Sequence, residues 1–262
     1  MQFITMGAEN GPVIVLMGWP FSTPEVLKPV AEQLGDARVI LPCWDGEDGG
    51  KIPYTTRRDQ AAQILAWLKG NGITRVDVLA SISLGAATAL DLADLILADG
   101  KLTLGRVLCD SGTFARRNLL TRFIRNCIVR HLFRKARDGS EEEAVAALLQ
   151  SRMVALLTGK DTTLFRPVLT DMVHVARSIS NKSTRAQQLA CCSFDWPEFP
   201  EQVVRRIVFI WSSNDPARHA VRQLRKHYPY AIYQPMGRLG HGGMAIQDPK
   251  GYASLLRGLI PQ

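Results

Sequence analysis

Residues 81–85 read Ser-Ile-Ser-Leu-Gly, placing two serines inside a run of small residues. A serine hydroxyl is a weak nucleophile until a base takes its proton, and it must stand clear of the backbone to attack. A sharp strand-to-helix turn presents such a side chain at its apex. That turn closes only if the residues two before and two after are small. With Ser83 at the apex the outer positions are Ser81 and Gly85; with Ser81 they would be Leu79, which is too bulky, and Ser83. The spacing therefore favours Ser83. The same letters also fit a serine that merely starts an alanine-rich helix, so the rest of the chain has to decide.

An activated serine needs a histidine as proton acceptor and a carboxylate to hold that histidine's tautomer. Of the five histidines, His131, His174, His219 and His227 lie in helix-like or polar surroundings and read as surface or core residues. His174, in a helical block, is a candidate substrate contact. His241 differs: it sits in "RLGHGG", where glycines let backbone and ligand approach closely. The acid candidate is Asp215 in "SSNDP", which closes an apolar strand before a proline. Asp110 in "VLCDSG", at the end of the preceding core strand, is the alternative acid. Developing negative charge on a substrate carbonyl needs backbone N–H donors. Leu84, just after the serine, and Trp19, in the loop "LMGWPFSTPE", supply them. Gly18, Trp19, His174 and Met244 are the candidate substrate contacts. With His241 as the base, activity is expected to fall as pH drops through the histidine pKa, about 6.5 when unperturbed.

These residues need a scaffold. "VIVLMG" (13–18), "ARVILPCWD" (37–45), "VDVLAS" (76–81) and "LGRVLCD" (104–110) are short apolar runs of strand length. Helical patterns at 59–72 and 84–98 lie between them. Strands alternating with helices predict an α/β fold: a mostly parallel sheet flanked by helices. From 113 to 198 only helical signals appear, including a capping box from Ser140 to Glu143 and Pro167 near a helix start. Strand signals resume at 205–215 and 231–237. The expected organisation is a core of residues 1–112 and 199–262, with an all-helical cap, or lid, inserted at 113–198.

The strings "VIVLMGWP", "VILPCWDGED", "VDVLASISLGAATAL", "IVFIWSSNDPA" and "GRLGHGG", in that order, resemble the α/β-hydrolase superfamily. The resemblance covers the core and stops at the helical block. It implies a serine hydrolase with Ser83 as nucleophile, Asp215 as acid, His241 as base, and Trp19 and Leu84 as oxyanion donors. Two positions depart from the family pattern: Met17 precedes Gly18 where histidine is usual, and Ser81 stands where the turn usually begins with glycine. Serine at 83 separates the chain from the dehalogenase and epoxide-hydrolase branches, which carry aspartate there.

The net charge of +8 is concentrated. Between 116 and 137 lie Arg116, Arg117, Arg122, Arg125, Arg130, Arg134, Lys135 and Arg137 with no acid, and Leu119, Leu120, Phe123, Ile124, Cys127, Ile128 and Phe133 recur at helical spacing. This basic amphipathic helix reads as a lid with a solvated arginine face. The alternatives are attraction of an anionic or carrier-linked substrate, as in the esterases of pimeloyl carrier-protein methyl esters that it resembles, and docking on a membrane surface. No nucleic-acid module accompanies the charge. Five cysteines show no metal-ligand spacing and read as free thiols in a reducing compartment. No apolar run suits a signal or membrane span, so a cytoplasmic monomer or weak dimer is expected. The expected reaction is hydrolysis of a small carboxylic ester without metal or cofactor. A thioesterase, a carbon–carbon hydrolase and a non-catalytic binding homologue are the alternatives.

Overall fold

The computed structural model describes residues 1–49, 52–112, 114, 127, 130–158 and 162–261. Seven strands form one sheet: β1 (Gln2–Gly7), β2 (Val13–Met17), β3 (Arg38–Cys43), β4 (Arg75–Ile82), β5 (Thr103–Asp110), β6 (Ile207–Ser212) and β7 (Ile232–Met236). Their order is β1-β3-β2-β4-β5-β6-β7, with β1 antiparallel to β3 and every other pairing parallel. The runs read as strands all appear. β1 was not foreseen, because its half-exposed edge position leaves no continuous apolar run.

Alternation along the strands divides the core in two. Val15, Met17 and Leu79 face helices α2 (Arg57–Gly70) and α3 (Leu84–Asp99). Ile14, Leu16, Val78 and Ile82 face the opposite side, where α1 (Lys28–Glu32) packs through Val30 and Ala31 and the C-terminal helix through Tyr252, Ala253 and Leu256. Chain direction across the sheet reverses at β2: β3 lies on one side of it and β4 on the other. The crevice above the C-terminal ends of β2 and β4 is where such sheets bind ligands.

Between β5 and β6 every described element is helical: residues 130–137, α4 (Glu141–Leu149), α5 (Arg152–Thr158), α6 (Arg166–Ser178) and α7 (Asn181–Cys192), with a 3-10 turn (Thr163–Phe165) leading into α6. The Ser140–Glu143 capping box and the proline in the first turn of α6 are both present. This insertion has its own apolar cluster, including Val145, Leu148, Val168, Leu169 and Val173, and Phe21 from the loop after β2 joins it. Most of the basic amphipathic stretch lies outside the described residues. Its last arginine is structural: Arg137 Nε donates to the Ala176 carbonyl at 2.7 Å near the end of α6, and its guanidinium lies over the Phe133 ring. The last turns follow as α8 (Glu201–Val204), α9 (Val221–His227), α10 (Gly243–Gln247) and α11 (Pro249–Leu259).

Candidate functional site

Central strand β4 ends at Ile82 and α3 starts at Leu84, so Ser83 alone makes the turn. Its backbone is at φ 59° and ψ −112°, a conformation that disfavours any residue with a Cβ. Such strain costs about 1–3 kcal/mol and persists only where the surroundings enforce it. Here they do. The Ser83 N–H donates to the Asp110 carbonyl at 2.9 Å. Ser81 is fully buried and its hydroxyl donates to the Leu108 carbonyl of β5 at 2.7 Å. Gly85 lies so close to the preceding loop that a Cβ there would be 2.8 Å from the Met17 carbonyl oxygen. Ser83 occupies the capping position of α3, yet its side chain makes no capping hydrogen bond.

The Leu84 N–H belongs to the first turn of α3 and has no intrahelical acceptor, so it adds to the positive end of the helix dipole. Trp19 follows Gly18 at the end of β2, next to β4 in the sheet. Its carbonyl, in the Trp19–Pro20 peptide that follows, accepts from Trp44 Nε1 at 2.9 Å, which anchors the loop.

Asp215 ends the segment after β6 and His241 lies after β7. The His241 Nδ1 to Asp215 Oδ1 distance is 2.9 Å, with Asp215 fully buried. Burial opposes charge on Asp215. The charge and hydrogen bond of His241 outweigh it, with help from Ser111 and the Ala217 N–H, and the carboxyl stays below its ordinary pKa. It therefore accepts the His241 ring bond as a carboxylate. Asp110 behaves oppositely. Burial, reinforced by the nearby Asp215 charge, outweighs the lowering effects of the Ser111 hydrogen bond and the His241 charge and raises its pKa to about 7.

Among the described residues no group of three or more histidine, cysteine or acidic side chains could hold a metal ion. Among the described residues no cysteine is joined in a disulfide, and no described helix is long and apolar enough to cross a membrane.

A model of the alpha/beta hydrolase family matches residues 14–255. The chain belongs to that family. Solved α/β-hydrolase structures share its fold at low identity. One from Desulfitobacterium hafniense has a TM-score of 0.75 at 14% identity, covering 99% of this chain and 100% of that one. The enol-lactonase from Burkholderia xenovorans has 0.71 at 17%, covering 100% and 96%. The naproxen esterase (carboxylesterase NP) from Bacillus subtilis has 0.67 at 15%, covering 98% and 86%. No curated protein is similar to the chain in sequence.

Within this α/β-hydrolase, Ser111, which the sequence did not single out, and Gly242 of the glycine-flanked loop hold His241 in place. Ser111, at φ 54°, donates its hydroxyl to Asp110 Oδ1 at 2.8 Å and accepts from the Gly242 N–H at 2.9 Å. Gly242 itself is at φ 64°, and a Cβ there would lie 2.4 Å from Ile82 Cγ2 and 2.7 Å from Trp19 Cζ2. The loop bearing His241 thus rests against the residue before Ser83 and against the Trp19 ring. Gly242→Ala is expected to lower stability by about 2–4 kcal/mol and to cut turnover as His241 is displaced. Denaturant unfolding and an ester assay on the same sample check both. Met244 is half-buried on α10 against the face of the core that α1 and the C-terminal helix cover. His174 is exposed and pairs with Glu141 Oε1 of α4 at 3.5 Å, so nothing in its contacts supports a role with substrate.

Proposed function

We propose that the chain is a serine hydrolase that cleaves a carboxylic ester. Ser83 attacks the carbonyl, and His241 takes its proton and returns it to the leaving alcohol. Asp215 holds His241 Nδ1–H and stabilises the imidazolium. The N–H groups of Leu84 and Trp19 receive the oxyanion. Residues 113–198 form a cap over the crevice. One observation carries this reading: Ser83 is forced to φ 59° with no capping bond, at the end of the strand beside Trp19. A helix-starting serine would instead adopt an extended backbone and bond its hydroxyl to the first turn, as Ser140 and Ser180 do in this same chain.

Ester hydrolysis is favoured over carbon–carbon cleavage because carboxylesterases from Bacillus subtilis and Nitrososphaera gargenis and a Thermogutta terrifontis esterase share the fold and nearly the full length of the chain. A fluorophosphonate probe is expected to label the native protein at Ser83 and to leave Ser83→Ala unlabelled, read by mass spectrometry of the labelled peptide. Absence of label on the native protein would favour a binding homologue.

A further inference from the structure

The segment just after Trp19 is gripped from outside the sheet. Phe21 is one of three described non-glycine residues with positive φ, at 60°. Its N–H donates to the Glu47 carboxylate oxygen Oε1 and, at 3.2 Å, to Gln187 Oε1 of α7. Gln187 Nε2 donates in turn to Glu47 Oε1 at 2.8 Å. Two residues on, Asp171 of α6 accepts three bonds: from Ser22 Oγ at 2.9 Å, the Thr23 N–H at 2.6 Å and Thr23 Oγ1 at 2.8 Å. The Phe21 ring meets Phe133 edge-on, with centroids 4.6 Å apart. Gln187 is fully buried, and Glu47, Phe21 and Ser22 are nearly so.

These contacts come mainly from the insertion. Three of its parts (α6, α7 and Phe133) hold the strained turn that ends the proposed oxyanion loop. A strained backbone relaxes when its restraints are removed, and an oxyanion donor misplaced by a fraction of an ångström loses much of its effect. Burial pushes the Glu47 carboxyl well above the usual carboxylate range, the neighbouring Asp171 adds to this, and among the described residues Glu47 Oε2 has no hydrogen-bond partner. Glu47 Oε1 accepts from both the Phe21 N–H and Gln187 Nε2, a part that the side-chain oxygen of glutamine can also play.

We infer that Asp171 and Gln187 of the cap, with Glu47 of the core, are positioning residues that set the Trp19 N–H for catalysis. This rests on the reading of Trp19 as an oxyanion donor. The cap then does more than cover the crevice: the oxyanion hole is complete only while α6 and α7 are seated on the loop.

The test uses the full chain, a small soluble ester, and a trifluoromethyl ketone whose serine adduct places its oxyanion in the same hole. Asp171→Ala and Gln187→Ala are expected to lower kcat per titrated active site about 10- to 100-fold, with KM changed little. The ketone Ki should rise by the factor by which kcat/KM falls. Glu47→Gln, which keeps an acceptor oxygen for the Phe21 N–H, should restore most of the turnover that Glu47→Ala loses. If the alanine variants fail to fold, Ser22→Ala with Thr23→Val removes two of the three bonds to Asp171 and is expected to act in the same direction. Unchanged kcat and ketone Ki in folded variants, or a rise in KM alone, would overturn the positioning role while leaving the serine reading intact. A wild-type protein that neither hydrolyses the ester nor binds the ketone would overturn both.

Discussion

Ser83→Ala is expected to lower ester turnover about a thousandfold or more, while Ser83→Gly is expected to be equally inactive yet more stable than the native chain. The two variants separate the bond chemistry from the backbone cost. Either one removes the hydroxyl, so neither can form an acyl intermediate. Alanine keeps a Cβ at φ 59° and ψ −112° and therefore keeps the strain. Glycine releases the strain, about 1–3 kcal/mol, and loses back about 0.5–1 kcal/mol of unfolded-state entropy, leaving a net gain on the order of 1 kcal/mol. If Ser83 were an ordinary helix-capping serine, the pattern would differ: alanine would cost about 1 kcal/mol of stability and turnover would be unaffected. Thermal unfolding beside a single-turnover ester assay distinguishes the two. A Ser83→Gly protein less stable than wild type would remove strain as the reason for this turn.

That turn was legible in the sequence because its constraints are local. The need for small residues at 81 and 85 follows from close backbone approach, and both contacts are present: the Ser81 hydroxyl on β5 and Gly85 against Met17. The parallel strands were legible for a similar reason, since strands buried on both faces are written as continuous apolar runs. β1 escaped because it is half-exposed, and its pairing with β3 is a long-range fact that no short window contains.

The residues that sequence reading missed share a different property. Ser111 reaches Gly242 across 131 positions, Glu47 meets Gln187 across 140, and Asp171 meets Thr23 across 148. Each is an ordinary polar letter whose role exists only once distant segments meet. "CDSG" and "WDGED" drew notice for Asp110 and for strand position, with nothing in them to mark Ser111 or Glu47 as partners of another loop. His174 is the converse case. A histidine in a helical block invites a functional reading, but the helix turns it outward to Glu141. Side-chain direction on α6 depends on how that helix packs, and a single histidine carries too little pattern to fix it.

The choice between the two buried carboxyls is settled by paired substitutions. Asp215→Asn is expected to lower kcat on the order of ten-thousandfold, whereas Asp110→Asn is expected to leave kcat within a few-fold. An asparagine at 215 presents either an N–H to the imidazole, favouring the wrong tautomer, or a neutral oxygen that no longer stabilises the imidazolium. Asp110 is engaged by Ser111: its Oδ1 accepts from the hydroxyl, and an amide oxygen accepts equally well. The stability effects run the other way. The Asp110 pKa is about 7 in the fold against 3.8 for the ordinary group. A carboxyl with a raised folded pKa favours the fold in its protonated form, so native stability falls as pH rises through that window. Asparagine lacks the ionisation. Asp110→Asn should therefore unfold later than wild type at pH 8, by about 2–4 kcal/mol, with the gap closing as pH falls toward 4. Chemical denaturation at both pH values, with kcat on the same preparations, reads both effects. A large loss of kcat in Asp110→Asn with a mild one in Asp215→Asn would transfer the role of acid to Asp110.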